Sequence, residues 1–412
     1  MSLLPIDYAL TRLLSEMQPL PIESIPLDQA TDRILAMSIR ARLDHPIADN
    51  SAMDGFALRA EDGRRPRRLL GQSAAGRPQD QVVGLDEAVR IFTGGLVPPG
   101  ANAVLIQEDA QWDAETCQPL VSPKPGAHIR TQGEDFAEGD LLMQPGQAVR
   151  AMDLALLGSQ GLTDVFVYRR PRVVVIATGD ELVEPGQSLG LGQIYESNTL
   201  MVAAQVQTAG GEIIERRRIA DDPEATTHVL KQSVKHADLV IFCGGASVGD
   251  HDHVVNCLQR EAVQGLDFYK VKMKPGKPVA AARIGHATVL CLPGNPASSA
   301  VAFEQFVRPC LRRLQGDERP HRRLEKTNLR GRITGPQKRC RFLRARRHPE
   351  GGVAPLEKQG SGMLSSLLGV DGLIMVPAGL GPLLEGDAVA FQAFDGPGDH
   401  RPPEAQWGRL FS

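Results

Sequence analysis

The stretch that decides the fold is Asp238-Leu239-Val240-Ile241-Phe242-Cys243-Gly244-Gly245-Ala246-Ser247-Val248-Gly249-Asp250-His251-Asp252. Its first half is a short apolar run with β-branched residues, which is typical of a buried strand, and two glycines end it. In the second half the glycines allow a turn whose backbone N–H groups can bind an anion. The acids Asp250 and Asp252 follow directly, and carboxylates suit a hard cation such as Mg²⁺. The stretch therefore predicts a phosphate-and-metal site at the carboxyl end of a parallel strand, and a plain glycine turn with solvated aspartates is the simpler alternative.

The segment from residue 173 to 314 repeats this alternation of strand and helix. The run Val173-Val174-Val175-Ile176-Ala177 is continuously apolar, as in a parallel strand covered on both faces, and Thr178-Gly179-Asp180-Glu181-Leu182 follows it. We predict further strands over residues 212–220, 239–242, 268–273 and 288–292, and helices over 197–209, 223–236, 253–261 and 297–311. Asp222 suits the N-cap of the second helix, and Pro296 suits the first position of the last. This alternation predicts an α/β sheet of βαβ units.

Four of the predicted strand ends carry residues suited to chemistry, and ligands of open α/β sheets bind at such ends. These ends are residues 178–182, 244–252, 270–277 and 293–296. Lys270, Lys272 and Lys274 alternate along a predicted strand and would share one face, and Lys277 follows a proline–glycine turn. Lysine suits phosphate or another oxyanion, although lysines are also common on exposed edge strands. Lysines beside carboxylates indicate metal-assisted phosphoanhydride or oxyanion chemistry.

The rest of the chain has a different pattern. Apolar positions at helical spacing predict a helix over residues 5–20, a second helix or a helix followed by a strand over 27–39, and a short helix over 151–161. Short runs between glycine and proline clusters predict strands over 46–139 and again over 326–393, the latter as a small β-barrel or sandwich. The tail from Gly396 is predicted to be disordered.

Composition excludes several classes of protein. The 412 residues carry a net charge of −3, with 23% charged and 42% hydrophobic residues, which is ordinary for a globular protein and gives no nucleic-acid signature. Six scattered cysteines without a CxxC pair predict neither a disulfide framework nor a zinc site. The N-terminus lacks a basic region before an apolar core, and no apolar run approaches the roughly 20 residues of a membrane span. We therefore expect a cytoplasmic protein that is not in a membrane.

A basic run lies near the C-terminal part. Between Arg308 and Arg347 there are fifteen Lys and Arg residues against three acids. Such a run could bind anions, but a solvated, repulsive face is the more common explanation, and we favour it here.

Five motifs, taken together, carry a resemblance to a known family. They are Asn50-Ser51-Ala52-Met53-Asp54-Gly55-Phe56-Ala57, Thr178-Gly179-Asp180-Glu181-Leu182, Gly244-Gly245-Ala246-Ser247-Val248-Gly249, Lys274-Pro275-Gly276-Lys277-Pro278 and Pro293-Gly294-Asn295-Pro296. In this order they resemble the signatures of the molybdopterin molybdenumtransferase family, which includes MoeA and the gephyrin E domain. The resemblance runs from about residue 5 to residue 393.

The resemblance implies an activity and a set of site residues. Such an enzyme takes adenylylated molybdopterin and molybdate, inserts the metal at the dithiolene, and releases AMP in the presence of Mg²⁺. The implied catalytic residues are Asp54, Thr93, Asp135, Glu181, Asp252, Lys270 and Lys274. The implied substrate-binding residues are Gly244, Gly245, Ser247, Gly249, Lys277, Pro293, Gly294, Asn295, Pro296 and Ser361. The implied metal-binding acids are Glu181 and Asp252 with Asp221 or Asp222.

The resemblance also implies a multidomain α/β plus β fold in four parts. These parts are a discontinuous helical segment (1–45 and 140–171), a β-domain (46–139), a molybdopterin-binding-like α/β domain (172–325) and a small C-terminal β-barrel (326–395), before the tail 396–412. The family is homodimeric, with a cleft shared between one subunit's α/β domain and the other's β-domain. A molybdopterin adenylyltransferase and acceptor molybdoenzymes are the implied protein partners.

The sequence departs from the family pattern at three positions. Cys243 stands where Ser or Thr is usual, Ala246 where valine is common, and Arg341 where an acid is usual, although Arg339 and Arg344 fit. These departures concern fine substrate contacts and not the class of protein. An alternative, since the gephyrin E domain also serves as a receptor scaffold, is a catalytically silent cofactor-binding or scaffold protein of the same fold, although the intact Asp54, Glu181 and Asp252 argue against it. A third possibility, a pterin- or nucleotide-binding hydrolase that shares only the α/β domain, does not account for the motif around Asp54.

Overall fold

The structure of the chain is a computed structural model, and it describes residues 3–245, 253–396, 398–399 and 401–411. Four residues of the stretch 238–252 that the sequence analysis names as substrate-binding or acidic lie outside the described residues. They are Ser247, Gly249, Asp250 and Asp252. The chain divides into two compact units. The first unit comprises Met1–Ala36, Pro145–Leu154 and Thr163–Ser412, and the second comprises Met37–Gln144 and Ala155–Leu162.

The described part of the chain contains eight α-helices. They are α1 (Ile6–Leu14), α2 (Ala151–Ser159), α3 (Asn198–Thr208), α4 (Pro223–Ser233), α5 (His253–Glu261), α6 (Pro296–Ala302), α7 (Arg308–Leu314) and α8 (Pro403–Phe411). The strands up to residue 168 are β1 (Ile22–Pro26), β2 (Ile39–Arg40), β3 (Asn50–Ser51), β4 (Gly55–Leu58), β5 (Arg67–Ser73), β6 (Glu87–Ile91), β7 (Ala103–Ile106), β8 (Ala110–Trp112), β9 (Thr116–Pro119), β10 (Ile129–Arg130), β11 (Leu141–Met143) and β12 (Asp164–Tyr168).

The later strands all belong to the first unit. They are β13 (Arg172–Thr178), β14 (Leu182–Val183), β15 (Ile194–Tyr195), β16 (Glu212–Ile219), β17 (Leu239–Cys243), β18 (Leu266–Tyr269), β19 (Met273–Lys274), β20 (Ala280–Ile284), β21 (Ala287–Leu292), β22 (His321–Arg322), β23 (Leu324–Asn328), β24 (Cys340–Arg347), β25 (Val353–Pro355), β26 (Gly372–Val376), β27 (Ala388–Ala393) and β28 (Gly398–Asp399).

A six-stranded sheet forms the centre of the first unit. Its order is β16-β13-β17-β21-β20-β18, and the first four strands are parallel. Strand β20 is antiparallel to β21, and β18 is antiparallel to β20, so β18 runs in the same direction as β21. The carboxyl ends of β13, β17, β21 and β18 therefore meet at one edge of the sheet. At this edge lie the four strand ends that, according to the sequence analysis, carry residues suited to chemistry.

Apolar packing on both faces explains why β13, β17 and β21 are continuously apolar. Val175 and Ile241 lie in a core cluster on one face, and Val174 and Val240 lie in a second cluster on the other. Residues that alternate along one strand thus serve two cores, which is expected for a doubly covered parallel sheet. The predicted α/β sheet is confirmed, as is the multidomain α/β plus β fold.

One prediction for the N-terminal region is wrong. Residues 27–39 form no α-helix: Leu27–Gln29 is a 3₁₀ turn and the next strand is β2. The preceding residues form β1, which pairs with β12 in an antiparallel ladder, because prolines interrupt the helical pattern and β12 offers backbone partners. The helix α1 packs its apolar face into the core of the α/β sheet, and the assignment of residues 1–45 to a helical segment stays a prediction.

The predicted lysine strand is also wrong. Strand β18 ends at Tyr269, Lys270 has a φ of 65°, and β19 contains only Met273 and Lys274. Lys270, Lys272 and Lys274 therefore do not alternate along one strand. The amide of Val271 donates to the carbonyl of Lys277 instead, and the chain folds back on itself around the proline–glycine turn.

The C-terminal sheet has the order β19-β24-β26-β27-β23, with β25 paired to β24. Strand β24 contributes Leu343 to this sheet's own core and Phe342 to the core of the α/β sheet. The tail from Gly396, predicted to be disordered, contains α8. Asp7 accepts hydrogen bonds from the amides of Glu404 (3.0 Å) and Ala405 (2.8 Å), which caps this helix from α1.

The second unit is built on a sheet of order β7-β4-β6-β5-β9-β8, in agreement with the predicted short strands. Phe56, Leu58 and Leu105 fill its core. Across the described residues of both units, no helix has the length and apolar character needed to cross a membrane.

Candidate active site

A cavity of about 830 Å³ lies at the carboxyl edge of the central sheet, and we call it the edge cavity. Residues from three of the four predicted strand ends line it, and they include most of the predicted substrate-binding residues that are described. Its lining residues are Thr178, Gly179, Glu181, Leu182, Leu189, Ile194, Tyr195, Glu196, Ser197, Asn198, Asp221, Cys243, Gly244, Gly245, Pro278, Pro293, Gly294, Asn295, Pro296, Gly362 and Leu364.

The residue that follows β17, Gly244, has to be a glycine because of its backbone conformation and the close approach of a neighbouring strand. Gly244 has a φ of +112°, and a Cβ at this position would lie 2.8 Å from the carbonyl oxygen of Thr178. Its amide donates to the carbonyl of Leu292 at 3.1 Å, and the Cys291 thiol donates to its carbonyl at 3.1 Å. The ends of β13, β17 and β21 are thereby held together, and this close packing leaves backbone rather than side chains at the floor of the edge cavity.

Two predicted acids, Glu181 and Asp221, line the edge cavity together. The hydroxyl of Thr178 donates to Asp221 Oδ1 at 3.0 Å, and the amide of Asp221 donates to Asp180 Oδ1 at 3.1 Å. The neighbouring Asp222 does not line the cavity as far as the chain is described; it caps α4 by accepting from the amide of Ala225 at 2.7 Å. Of the two alternatives that the sequence leaves open, the geometry favours Asp221 as the acid of the site.

The carboxylates of Glu181 and Asp221 fit a magnesium ion. Among the described residues no cluster of three or more His, Cys, Asp or Glu side chains could hold a metal by itself. Mg²⁺ is usually bound through one or two carboxylates together with substrate phosphates and water rather than by a complete protein cage. Two carboxylates beside a glycine-lined floor suit that kind of binding.

A second cavity of about 570 Å³ adjoins the first, because Pro278, Pro293 and Asn295 line both. We call it the cationic cavity, since four cationic side chains line it and none of the described residues around it is acidic. Its lining residues are Met273, Lys274, Pro275, Gly276, Lys277, Pro278, Pro293, Asn295, Ser298, Arg339, Arg341, Phe342, Leu343, Gln359, Gly360 and Ser361.

Strand pairing and a loop contact position the polar groups of the cationic cavity. Lys274 of β19 is the register partner of Arg341 of β24, so the two side chains start from neighbouring backbone positions. Burial lowers the pKa of Arg341. The carbonyl of Ser361 accepts from the amide of Ala297 at 3.1 Å, and its hydroxyl accepts from Asn295 at 3.4 Å. A concentration of positive charge with hydroxyl and amide donors is suited to an oxyanion.

The structure brings together some predicted lysines and not others. Lys274 and Lys277 line the cationic cavity, whereas Lys270 lines neither cavity among the described residues and lies with its ammonium 4.3 Å from the Tyr269 ring centroid. Lys274 is exposed rather than buried.

Sequence reasoning missed several residues of the two cavities. Arg339 and Arg341 of the cationic cavity belong to the basic run, so its interpretation as a solvated face alone is wrong in part. In the edge cavity the first turn of α3 was missed: Asn198 donates to the carbonyl of Gly294 at 2.6 Å, and the buried Glu196 accepts from the amide of Thr199 at 2.8 Å. The available signal was the start of the helix predicted over residues 197–209, because this helix follows the polar strand end at residues 178–182.

In the second unit, Asp54 and Thr93 form a pair. Asp54 Oδ1 accepts from the Thr93 amide at 2.7 Å and from its hydroxyl at 2.8 Å. These two hydrogen bonds, together with the charge of Arg90, lower the pKa of Asp54. Both side chains are exposed. The third predicted residue of this unit, Asp135, lies 3.4 Å from His45 and lines a separate cavity of about 510 Å³.

Comparison with known proteins identifies the family. Three family models match in order: "MoeA N-terminal region (domain I and II)" over residues 4–161, "Probable molybdopterin binding domain" over 174–313 and "MoeA C-terminal region (domain IV)" over 326–394. The chain is 36% identical over 366 residues to Molybdopterin molybdenumtransferase 2 of Mycobacterium tuberculosis, covering 86% of this chain and 90% of that protein. The chain belongs to the molybdopterin molybdenumtransferase family. The resemblance and the assignment to a transferase family are thus confirmed.

Other members of the molybdopterin molybdenumtransferase family agree in sequence and fold. The enzyme of Haemophilus influenzae is 37% identical over 320 residues, which covers 77% of this chain and 79% of that protein. A crystal structure of the molybdopterin biosynthesis moeA protein from Pyrococcus horikoshii superimposes with a TM-score of 0.83 at 28% identity, covering 95% of this chain and all of that one.

Two of the three departures from the family pattern fall in described residues. Cys243 is buried, and burial raises the pKa of its thiol, which fits a small core residue rather than a nucleophile. Arg341 adds a fourth positive charge to the cationic cavity. Ala246 lies outside the described residues.

Proposed function

We propose that this chain inserts molybdenum from molybdate into adenylylated molybdopterin, with Mg²⁺-dependent release of AMP, and so produces molybdenum cofactor. The names of its relatives support the reaction class. The observation that carries the proposal is the pair of adjoining cavities at one sheet edge, one with carboxylates and a glycine floor and one with four cations. Metal-assisted release of a nucleotide and capture of an oxyanion need these two kinds of surroundings side by side.

The edge cavity would receive the phosphate end of adenylylated molybdopterin. Backbone around Gly244, Gly245 and Gly294 can approach the substrate closely, and Ser247 and Gly249 continue the same motif in sequence. Glu181 and Asp221 would hold Mg²⁺. Asp252, which follows the glycine motif 244–249 in the sequence, would be a further metal-binding acid. Bound there, the ion would supply charge stabilisation to the phosphate as AMP departs.

The cationic cavity would receive molybdate, the oxyanion substrate. Lys274 and Lys277 supply point charges, Arg339 and Arg341 supply directional N–H donors, and Ser361 supplies a hydroxyl. Because Pro293 and Asn295 line both cavities, the oxyanion and the nucleotide-bearing substrate would sit on either side of the 293–296 turn.

We further propose that the active form is a homodimer in which each cleft is shared. The predicted catalytic and metal-binding residues are divided between the two units of the chain, with Asp54, Thr93 and Asp135 in one and Glu181 and Asp221 in the other. A two-fold dimer can place one subunit's β-domain over the strand ends of its partner, twice by symmetry. The enzyme would act in the cytoplasm, between a molybdopterin adenylyltransferase and the acceptor molybdoenzymes.

The reaction is tested by reconstitution. Purified chain is incubated with adenylylated molybdopterin, molybdate and Mg²⁺, and the product is supplied to an apo-molybdoenzyme whose activity is measured. We expect activity that requires all three additions. Tight substrate binding without any reconstitution would instead support the catalytically silent scaffold.

The shared cleft is tested by subunit complementation. An inactive Asp54→Ala chain is mixed with an inactive Glu181→Gln chain, and exchange of subunits is verified by mass. In a heterodimer with shared clefts one site carries both lesions and the other carries none, so we expect part of the activity to return. Verified exchange without any recovery would show that each cleft is built within one chain.

A further inference from the structure

A third cavity, of about 390 Å³, lies in the first unit, and we call it the arginine cavity. The helix α3 forms one wall, the helical run from α6 to α7 forms another, and the C-terminal sheet closes it. Apolar side chains such as Met201, Val301, Leu373 and Phe394 make up most of its surface. Among the described residues, none that lines the arginine cavity also lines the edge cavity or the cationic cavity.

Arg344 gives this apolar cavity an unusual charge. It is 1% exposed, and its Nη2 donates to the carbonyls of Lys358 at 3.3 Å and Gly360 at 3.2 Å. Within the described parts of the chain, its Nε and Nη1 atoms are buried and have no hydrogen-bond partner. A buried guanidinium with unpaired donors is destabilising, because the group has lost water without gaining an equivalent acceptor. Such a group is expected to bind an anion.

The other charged residues of the cavity do not supply that anion. Arg322 Nε donates to Glu304 Oε2 at 2.6 Å, so the one lining glutamate is already paired with an arginine. Arg308 also lines the cavity, and burial together with the like charge of Arg322 lowers its pKa to about 9. Among the described lining residues, three arginines against one glutamate leave two positive charges unbalanced in apolar surroundings.

We propose that the arginine cavity binds a small amphipathic anion, in which a carboxylate or phosphate head is carried on an apolar body. The head would lie beside the arginines of the cavity, whose charge the lining Glu304 does not balance, and the body would contact the apolar wall formed by Met201, Val301 and Leu373. The volume falls within the about 300–1,000 Å³ range of small-molecule pockets. This inference does not depend on the proposed function, since it rests on other residues.

Binding is tested on the full chain by calorimetric titration with four probes that each contain eight carbon atoms. Octanoate and octyl phosphate carry the acidic head, octanol is neutral, and octylamine is cationic. We expect saturable binding of at least one anion and at least tenfold weaker binding of octanol and octylamine. Which of the two anions binds more tightly distinguishes a carboxylate from a phosphate ligand. Equal binding of octanol, or no binding of either anion at millimolar concentration, would overturn the proposal.

Two variants locate the bound anion. Ala204 is an exposed residue of α3 that lines the cavity, so Ala204→Phe should fill the space without disturbing the core, and Arg344→Met should remove one of the unbalanced positive charges. The matched control is Gln207→Phe, because Gln207 is exposed on the same helix and is not a lining residue among those described. We expect at least tenfold weaker binding in both variants and unchanged binding in the control. Unchanged affinity in Ala204→Phe, with its fold verified by circular dichroism, would contradict the assignment.

Discussion

Changing the charge at Arg341 should weaken molybdate binding in a graded way. Arg341 is half-buried, is the register partner of Lys274, and lines a cavity whose described residues include three other cations and no acid. Its Nη1 donates to Gln337 at 3.3 Å, which orients the side chain. The two informative substitutions are Arg341→Ala, which removes the charge, and Arg341→Glu, which reverses it.

The magnitude follows from the half-buried position. A hydrogen bond to a charged group contributes about 1.5–3 kcal/mol, and partial exposure places Arg341 at the low end of that range. Arg341→Ala should therefore weaken binding by about tenfold, since about 1.4 kcal/mol corresponds to a factor of ten. Arg341→Glu adds repulsion between like charges, which is up to about 4 kcal/mol per unit charge at about 4 Å near a protein surface. We expect a loss of about a hundredfold or more.

The assay is calorimetric titration with molybdate at low and moderate ionic strength, where the charged contribution should shrink as salt is added. Arg341→Lys should keep most of the affinity because it retains the charge. Lys272→Ala is the matched control, since Lys272 is exposed and lines neither cavity among the described residues. If Arg341→Glu bound molybdate as well as the unmodified chain, the cationic cavity would not be the oxyanion site.

Three further predictions address other contacts. Asp221→Asn should lower the rate of Mg²⁺-dependent AMP release by about 10–100-fold. Asp222→Asn should leave that rate unchanged, because asparagine also caps a helix. An equal loss of rate in both variants would remove Asp221 from the site. Thr93→Val should raise the pKa of Asp54 in an NMR titration, because it removes the hydroxyl that donates to the carboxylate. The stabilisation of the folded state by this pair should be present above the ordinary carboxyl pKa of 3.8 and should be lost as the pH falls through the lower pKa of the folded state. A pKa unchanged by the substitution would refute the contribution of the hydroxyl. Asp7→Ala should destabilise α8 by about 1 kcal/mol, seen as faster amide hydrogen exchange, while Asp7→Asn retains an acceptor; unchanged exchange in Asp7→Ala would show that the cap contributes nothing.

The central sheet could be predicted from sequence because its strands are buried on both faces. Runs such as 173–177 and 239–242 are apolar at every position, and their short length, β-branched residues and flanking glycines favour a buried strand over a buried helix. The same reasoning identified the edge cavity, since polar and glycine residues directly follow those runs. Family motifs then selected Glu181, Gly244 and Asn295, and the structure places all three around one cavity.

The failures have physical causes that a local pattern does not reveal. The lysines at 270, 272 and 274 have the alternation of a strand, but the positive φ at Lys270 and the pairing of β19 with a distant strand depend on tertiary contacts. The basic run was interpreted by composition, which cannot distinguish Arg344, buried beside the α/β core, from exposed neighbours such as Arg346. The helix α8 is stabilised by Asp7, nearly four hundred residues away, so its order could not be read from the tail alone.

The most direct test of the proposed function is the stoichiometry of a single turnover. Enzyme in excess over adenylylated molybdopterin is mixed with molybdate and Mg²⁺, and released AMP is quantified together with the molybdenum content of the pterin product. We predict one AMP for each molybdenum inserted, with AMP release that depends on molybdate and is slowed in Arg341→Glu. AMP released at the same rate without molybdate, or a product without molybdenum, would contradict the claim that the two cavities act as one site.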